Sequence, residues 1–210
     1  MSSDISAVFL REGLTGNPVQ AELWDGIQPQ HLADWTQQWQ PALSQALGQL
    51  VRRGVPITQW PQNWHWNWQH KVTHISGLLG ARTFCVVAHG VTQGLMSVDL
   101  TKTGRLGFQR GKPLVYIDFL EAAPWNRLEF FGSARFRGVG TVLVTAAIEL
   151  SRQEGFKGRI ALHSLPQADD FYRRACGMTD LDKDSGYQNL RYFEMAPEQA
   201  RAYLGEDDQL

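Results

Sequence analysis

Cysteine is scarce in this sequence: Cys85 and Cys176 are the only two. Neither belongs to a C-x-x-C pair, so neither a disulfide framework nor a thiolate zinc site is expected. Long apolar runs are missing too. No stretch approaches the ~18 apolar residues of a membrane-spanning helix. The N-terminal segment carries Asp4, Arg11 and Glu12 and lacks the apolar core of a signal peptide. A reducing cytoplasm is the expected location. An excess of either charge is also missing, with 20 Lys and Arg against 21 Asp and Glu, a net charge of -1. The broad basic footprint of a nucleic-acid binder is therefore not present, and neither nucleic acid nor a membrane is an expected partner. No internal repeat, low-complexity tract, Walker A loop or full G-x-G-x-x-G occurs.

What is present is an ordinary globular composition over 210 residues, 43% hydrophobic and 20% charged. A chain of that length buries a sufficient core without metal or disulfide support. Ile5 to Arg11 reads as a first strand. Leu32, Trp35, Trp39, Leu43, Leu47 and Leu50 recur at helical spacing, with Pro41 expected to kink or divide the helix. Arg52-Arg53-Gly54 is a helix stop. Residues from about Asn67 to Leu79 read as a further helix. Three strands follow, at Thr83 to Ala88, Gly94 to Leu100 and Leu114 to Leu120, the first two linked as a hairpin. Val139, Leu143, Ala146, Ala147 and Leu150 stripe a helix that Gly155 ends. Arg159 to Leu165 is a strand, followed by a short helix that Ser164 could cap. Tyr187 to Met195 is a last strand and Pro197 to Leu204 a closing helix. The order β, α, α, β, β, β, α, β, α, β implies an α+β or α/β three-layer arrangement.

The sharpest local signal is Arg135-Phe136-Arg137-Gly138-Val139-Gly140-Thr141. It follows a strand and opens a helix. Glycines let the backbone approach an anion closely, and the N–H groups and dipole of a helix start favour one. Arg135 and Arg137 can add charge-assisted hydrogen bonds. By itself R-x-x-G-x-G also fits a plain glycine-rich helix start.

This loop, in that context, resembles the acyl-CoA signature of the GNAT (Gcn5-related N-acetyltransferase) superfamily. Ala168-x-x-Phe171-Tyr172, followed by Gly177-Met178, resembles the family's second motif, in the expected order and at the expected distance. The resemblance covers roughly residues 81 to 195. Residues 1 to 80 share with the family only a first strand and two helices.

The resemblance implies a single GNAT-like domain over 1–210, with a mixed, mostly antiparallel sheet flanked by helices. Residues 1–80 would form the substrate side and 81–195 the acyl-CoA-binding core. It implies transfer of an acetyl or other acyl group from acyl-CoA to a small-molecule or protein amine, by direct attack in a ternary complex without metal. Arg135, Arg137, Gly138, Val139, Gly140 and Thr141 would hold the pyrophosphate. The strand through Phe119 and Leu120 would pair with the pantetheine amides, and Tyr172 would sit beside the thioester sulfur. The loop between Glu121 and Arg135 is longer than the family norm. Homodimers are common in the family.

Such a reaction needs a neutral amine and a protonated leaving thiolate. Glu121 and Asp118 are the candidate bases. They sit three apart and so face opposite sides of a strand, and the preference is for Glu121, nearer the splay point. Tyr172 is the candidate acid. Cys176 reads as a small core residue. His163 and Ser164 end a strand and either orient substrate or water or are simply strand-end polar residues. Trp125 and Asn126, after the splayed strand, lie where acceptor specificity would be set. Trp60, Trp64, Trp66 and Trp68 fall within nine positions. They either wall a substrate pocket, with Trp66 the chosen contact, or plug the core. His70 and His74 share a helix face, but no acidic or thiol group completes a metal site. Arg105, Arg110 and Lys112 read as a solvated loop, with an acidic substrate or 3′-phosphate contact as the other reading. Two further functions stand beside the amine acyltransferase: a toxin or effector acylating an aminoacyl-tRNA or a protein, and a non-catalytic acyl-CoA-binding module.

Overall fold

The computed structural model describes residues 4–206. Its strands are β1 (Ile5–Glu12), β2 (Pro18–Asp25), β3 (Ala81–Ala88), β4 (Val91–Asp99), β5 (Val115–Ala122), β6 (Phe136–Arg137), β7 (Ile160–Ser164), β8 (Thr179–Asp184) and β9 (Leu190–Met195). Its α-helices are α1 (Pro29–Asp34), α2 (Gln40–Arg52), α3 (Trp68–Ile75), α4 (Leu128–Phe131), α5 (Val139–Gln153) and α6 (Pro197–Tyr203). The architecture is a mixed, mostly antiparallel sheet with helices, as the α+β reading expects. The pairs β1/β2, β1/β6, β2/β3, β7/β9 and β8/β9 are antiparallel, whereas β5 and β7 run parallel.

The chain divides into two compact units, each discontinuous in sequence. The first holds the residues up to Leu78, then Thr83–Met96 and Leu120–Leu143. Its strand segments lie in the order β6-β1-β2-β3-β4-β5. Leu43, Ala46, Leu50 and Phe130 form a buried cluster here, with Trp60 packed against it. The second holds Leu79–Arg82, Ser97–Phe119 and the residues from Val144 onward. Its strand segments lie in the order β3-β4-β5-β7-β9-β8, and Leu114, Tyr116, Ala161 and Tyr192 form one of its buried clusters.

Three strands were not expected from the sequence: the two-residue β6, β2 and β8. β2 opens on Pro18 after the Gly16-Asn17 turn and carries Gln20, Glu22 and Asp25. It alternates, with Ala21 buried between exposed Gln20 and Glu22, but it lacks the β-branched run that marks β5. β8 contains three aspartates and a lysine and is largely exposed, which is the composition of a protected edge. β9 accordingly begins at Leu190 rather than Tyr187.

Pro41 acts as expected, by an identifiable device. Residues Trp35–Trp39 form a π-turn in which the Gln40 N–H reaches back to Trp35 O, and Pro41 then occupies the first turn of α2. The wider turn accommodates a proline that could not serve mid-helix. α3 ends at Ile75, short of the expected Leu79. Ser164 does not cap: its Oγ donates to Leu165 O, and the segment that follows is a 3-10 turn and then a π-turn over Phe171–Ala175.

Candidate functional site

The first unit contains the anion-type loop. β6 pairs with β1 through Arg11–Arg137 and Glu12–Phe136. Gly138 then turns at φ +94°, a conformation that L side chains rarely adopt, and α5 begins. The Val142 N–H donates to Gly138 O at 2.9 Å. The N–H groups of Val139 and Gly140 therefore lie ahead of the first helical hydrogen bond. Arg135, Arg137 and Thr141 flank them in sequence, with Arg137 exposed. A cavity of about 190 Å³ adjoins the turn, lined by Ala122, Asn126, Leu128, Phe136, Gly138 and Gly140 among others. A Cβ on Gly94 would meet Val139 Cγ1 at 2.4 Å, so a glycine in β4 lets the start of α5 approach the sheet.

The long loop after β5 supports this turn. Gln93, fully buried, accepts from Trp125 Nε1 at 2.9 Å and Asn126 Nδ2 at 3.0 Å. Asn126 Oδ1 accepts from the Phe136 N–H at 2.9 Å, and Trp125 O from the Arg135 N–H at 3.0 Å. Trp125 and Asn126 thus brace the loop leading into Gly138.

Glu121 lies next to the end of β5, in a buried polar network. Asn63 Nδ2 donates to Oε1 and Trp68 Nε1 to Oε2, each at 2.7 Å. The Arg127 guanidinium stands 3.6 Å from Oε1, donates to Asn63 Oδ1 at 3.0 Å and lies over the Phe130 ring at 4.3 Å. Burial raises the Glu121 carboxyl to about 7, against the lowering influence of Arg127, Trp68, Lys71 and Asn63. Sequence reasoning found Glu121 but missed Asn63, Arg127 and Gln93, which carry no spacing signal. Trp68 stood inside the tryptophan cluster, and its fully buried indole was not distinguishable from its neighbours. Trp66 is half-buried with the Lys71 ammonium over its ring at 4.5 Å, and Trp60 packs edge-on against Trp64.

In the second unit Asp118 and Phe119 are half-buried on β5, and Leu120, half-buried, continues the strand in the first unit. Tyr172 lies in the π-turn, 6% exposed, its ring 5.1 Å from Phe171 and 6.0 Å from Phe193. Burial pushes its phenol above the ordinary range, with Cys176 and Tyr203 adding to the shift. His163 closes a relay that the sequence did not announce. Tyr116 Oη and His163 Nδ1 are 2.6 Å apart, and His163 Nε2 is 3.0 Å from Asp184 Oδ2. Tyr187 stacks on the imidazole at 4.0 Å. Arg105, expected in a solvated loop, bonds Asp184 Oδ2 at 2.5 Å and lies over the Tyr192 ring. The Arg105 hydrogen bond, then that of His163, hold the Asp184 carboxyl down to about 2. Burial lowers the His163 imidazole. Among the described residues no group of three or more His, Cys, Asp or Glu is placed to hold a metal ion, and no helix is long and apolar enough to cross a membrane.

Residues 116–178 match the model of the acetyltransferase (GNAT) family. No curated protein matches the chain in sequence. Among solved structures, the GNAT domain of PAT from S. lividans is similar at 15% identity and TM-score 0.51, over 91% of this chain and 96% of that one. A GNAT-family acetyltransferase from Listeria monocytogenes is similar at 14% identity and TM-score 0.50, over 83% of this chain and 94% of that one. At such identity the likeness speaks for the fold. Residues 116–178 thus carry a segment that matches the GNAT family, within a fold similar to that of solved GNAT structures.

Proposed function

We propose that this chain is an N-acyltransferase that moves an acetyl or other acyl group from acyl-CoA to an amine. The turn from β6 into α5 carries the reading. A positive-φ glycine, backbone N–H groups ahead of the helical ladder and an adjoining cavity are the features a diphosphate needs. Arg135, Arg137, Gly138, Val139, Gly140 and Thr141 would hold that group, and the backbone of Phe119 and Leu120 would pair with the pantetheine arm. The thioester supplies the activated carbonyl.

The chain's own part is proton management and placement. Glu121 is the proposed base. A carboxyl raised to about 7 exchanges its proton near neutral pH, where a general base is most effective. Asp118 is the second candidate. Tyr172, kept neutral by its burial, is the proposed donor to the departing thiolate. Trp125, Asn126, Trp66 and His163 are proposed to shape acceptor binding. Two buried free thiols suit a reducing cytoplasm.

Calorimetry with acetyl-CoA tests this, comparing the native chain with Gly138→Glu. The expectation is binding in the micromolar range, about -8 kcal/mol, lost in the variant, followed by thiol release with an amine panel. A folded native chain that binds neither acetyl-CoA nor longer acyl-CoAs overturns the reading.

A further inference from the structure

The second unit contains a larger cavity, about 750 Å³, that the acyltransferase reading does not use. Lys112, Arg152, Lys157, Arg159 and Arg201 line it, against a single acidic side chain, Glu198. Two of the five cations are engaged. Arg152 makes a two-pronged pair with Glu206 at 2.7 Å and reaches Glu149 at 3.4 Å, and Arg201 stands 3.7 Å from Glu198. The other three have no carboxylate partner among the described residues. Lys112 and Lys157 are exposed at the rim.

Arg159 is the informative one. It is only 7% exposed, at the foot of β7. Its Nε donates to Pro113 O at 2.9 Å, and neither terminal nitrogen meets a carboxylate. A guanidinium that lines a cavity without a carboxylate partner is a ready partner for an anion. Its two free nitrogens form the fork that oxyanions accept. Lys157 adds a second sign. It holds φ +61°, a conformation better suited to glycine or asparagine, yet the position carries a lysine at the rim. Phe108, 66% exposed, also lines the cavity and offers a flat apolar face. The cavity is concave and of a size that encloses a small molecule. The chain as a whole has a net charge of -1, not the extended basic face that a polyanionic macromolecule would use.

We infer that this cavity binds a small, multiply charged oxyanion, a phosphoryl- or diphosphoryl-bearing metabolite whose apolar part lies on Phe108. Arg159 would take the oxyanion through its fork, with Lys112 and Lys157 closing over it. The inference does not depend on the acyltransferase reading.

The test is calorimetry with inorganic pyrophosphate on the Gly138→Glu chain, in which the β6–α5 turn is blocked. The expected result is one saturable site, weakened about tenfold or more in a chain that also carries Lys112→Gln and Lys157→Gln. Those side chains are exposed, so folding is not at stake. Lys112→Arg with Lys157→Arg should restore binding. Pyrophosphate that does not saturate at millimolar concentration overturns the inference, as does binding indifferent to the two lysines.

Discussion

Glu121 carries the electrostatic cost of its position in a measurable way. An unfolded carboxyl ionises at the ordinary 4.5 and the folded one at about 7, so the folded state holds the extra proton between those values. Stability therefore falls as pH rises through that window and is level above it, by on the order of 3 kcal/mol. Glu121→Gln removes this dependence. Its stability relative to the native chain should improve between pH 5 and pH 8, as read by denaturant unfolding at each pH. As the proposed base, Glu121 must be ionised to act. The native kcat/KM should rise with pH through about 7, and Glu121→Gln should lose about a hundredfold or more together with that limb. A limb that survives in the variant would assign the base elsewhere, with Asp118 next to examine. Trp68→Phe separates the parts of the network. It removes a donor that favours the charged carboxylate, so the limb should move to higher pH and stability should fall by about 1–3 kcal/mol.

At the scale of elements, two glycines set the approach of the segments that build the turn. Gly13 follows β1, and a Cβ there would meet Ala134 O at 1.6 Å, against backbone that cannot swing aside. Gly13→Ala should displace the segment leading into Arg135, with a thermal midpoint lowered by several degrees and weaker acetyl-CoA binding. Gly138 differs: the space around it is open, with Leu10 Cδ2 at 4.0 Å, but its φ is +94°. Gly138→Ala should cost about 1–3 kcal/mol of backbone strain, and Gly138→Glu should abolish binding by bulk and charge. Two variants at one site, read by calorimetry and melting, distinguish conformation from occlusion.

At the scale of the whole molecule, the two thiols report global opening. Cys85 and Cys176 are both buried, and burial pushes the Cys176 thiol up to about 12 and Cys85 higher still. Thiolates are the reactive form, so labelling by a disulfide reagent should be slow in the native chain and fast in denaturant. Acetyl-CoA at about a hundred times its Kd should add about 2.7 kcal/mol of stability and slow labelling in proportion. Labelling unaffected by acetyl-CoA would mean that the thiols open without releasing the site.

The sequence by itself determined the elements whose signal is local. Val139, Leu143 and Ala147 repeat at helical spacing and α5 is where they place it. R-x-x-G-x-G marks the turn because a positive φ and a helix start are short-range requirements, and the family match over residues 116–178 includes that stretch. β2 and β8 escaped notice because strands rich in polar and charged residues are stabilised by the neighbour they pair with and not by their own residues. Only the tertiary structure decided what Glu121 is. Asn63 and Trp68 lie more than fifty residues earlier in the chain, and the burial that raises its carboxyl is a property of packing. The same holds for Arg159, which reads in the sequence as an ordinary strand-leading arginine. Its lack of a counter-charge exists only once β7, α6 and the loop through Lys112 have folded around it. Periodicity and turn chemistry act over a few residues, whereas desolvation and charge pairing depend on which distant residues arrive beside a group.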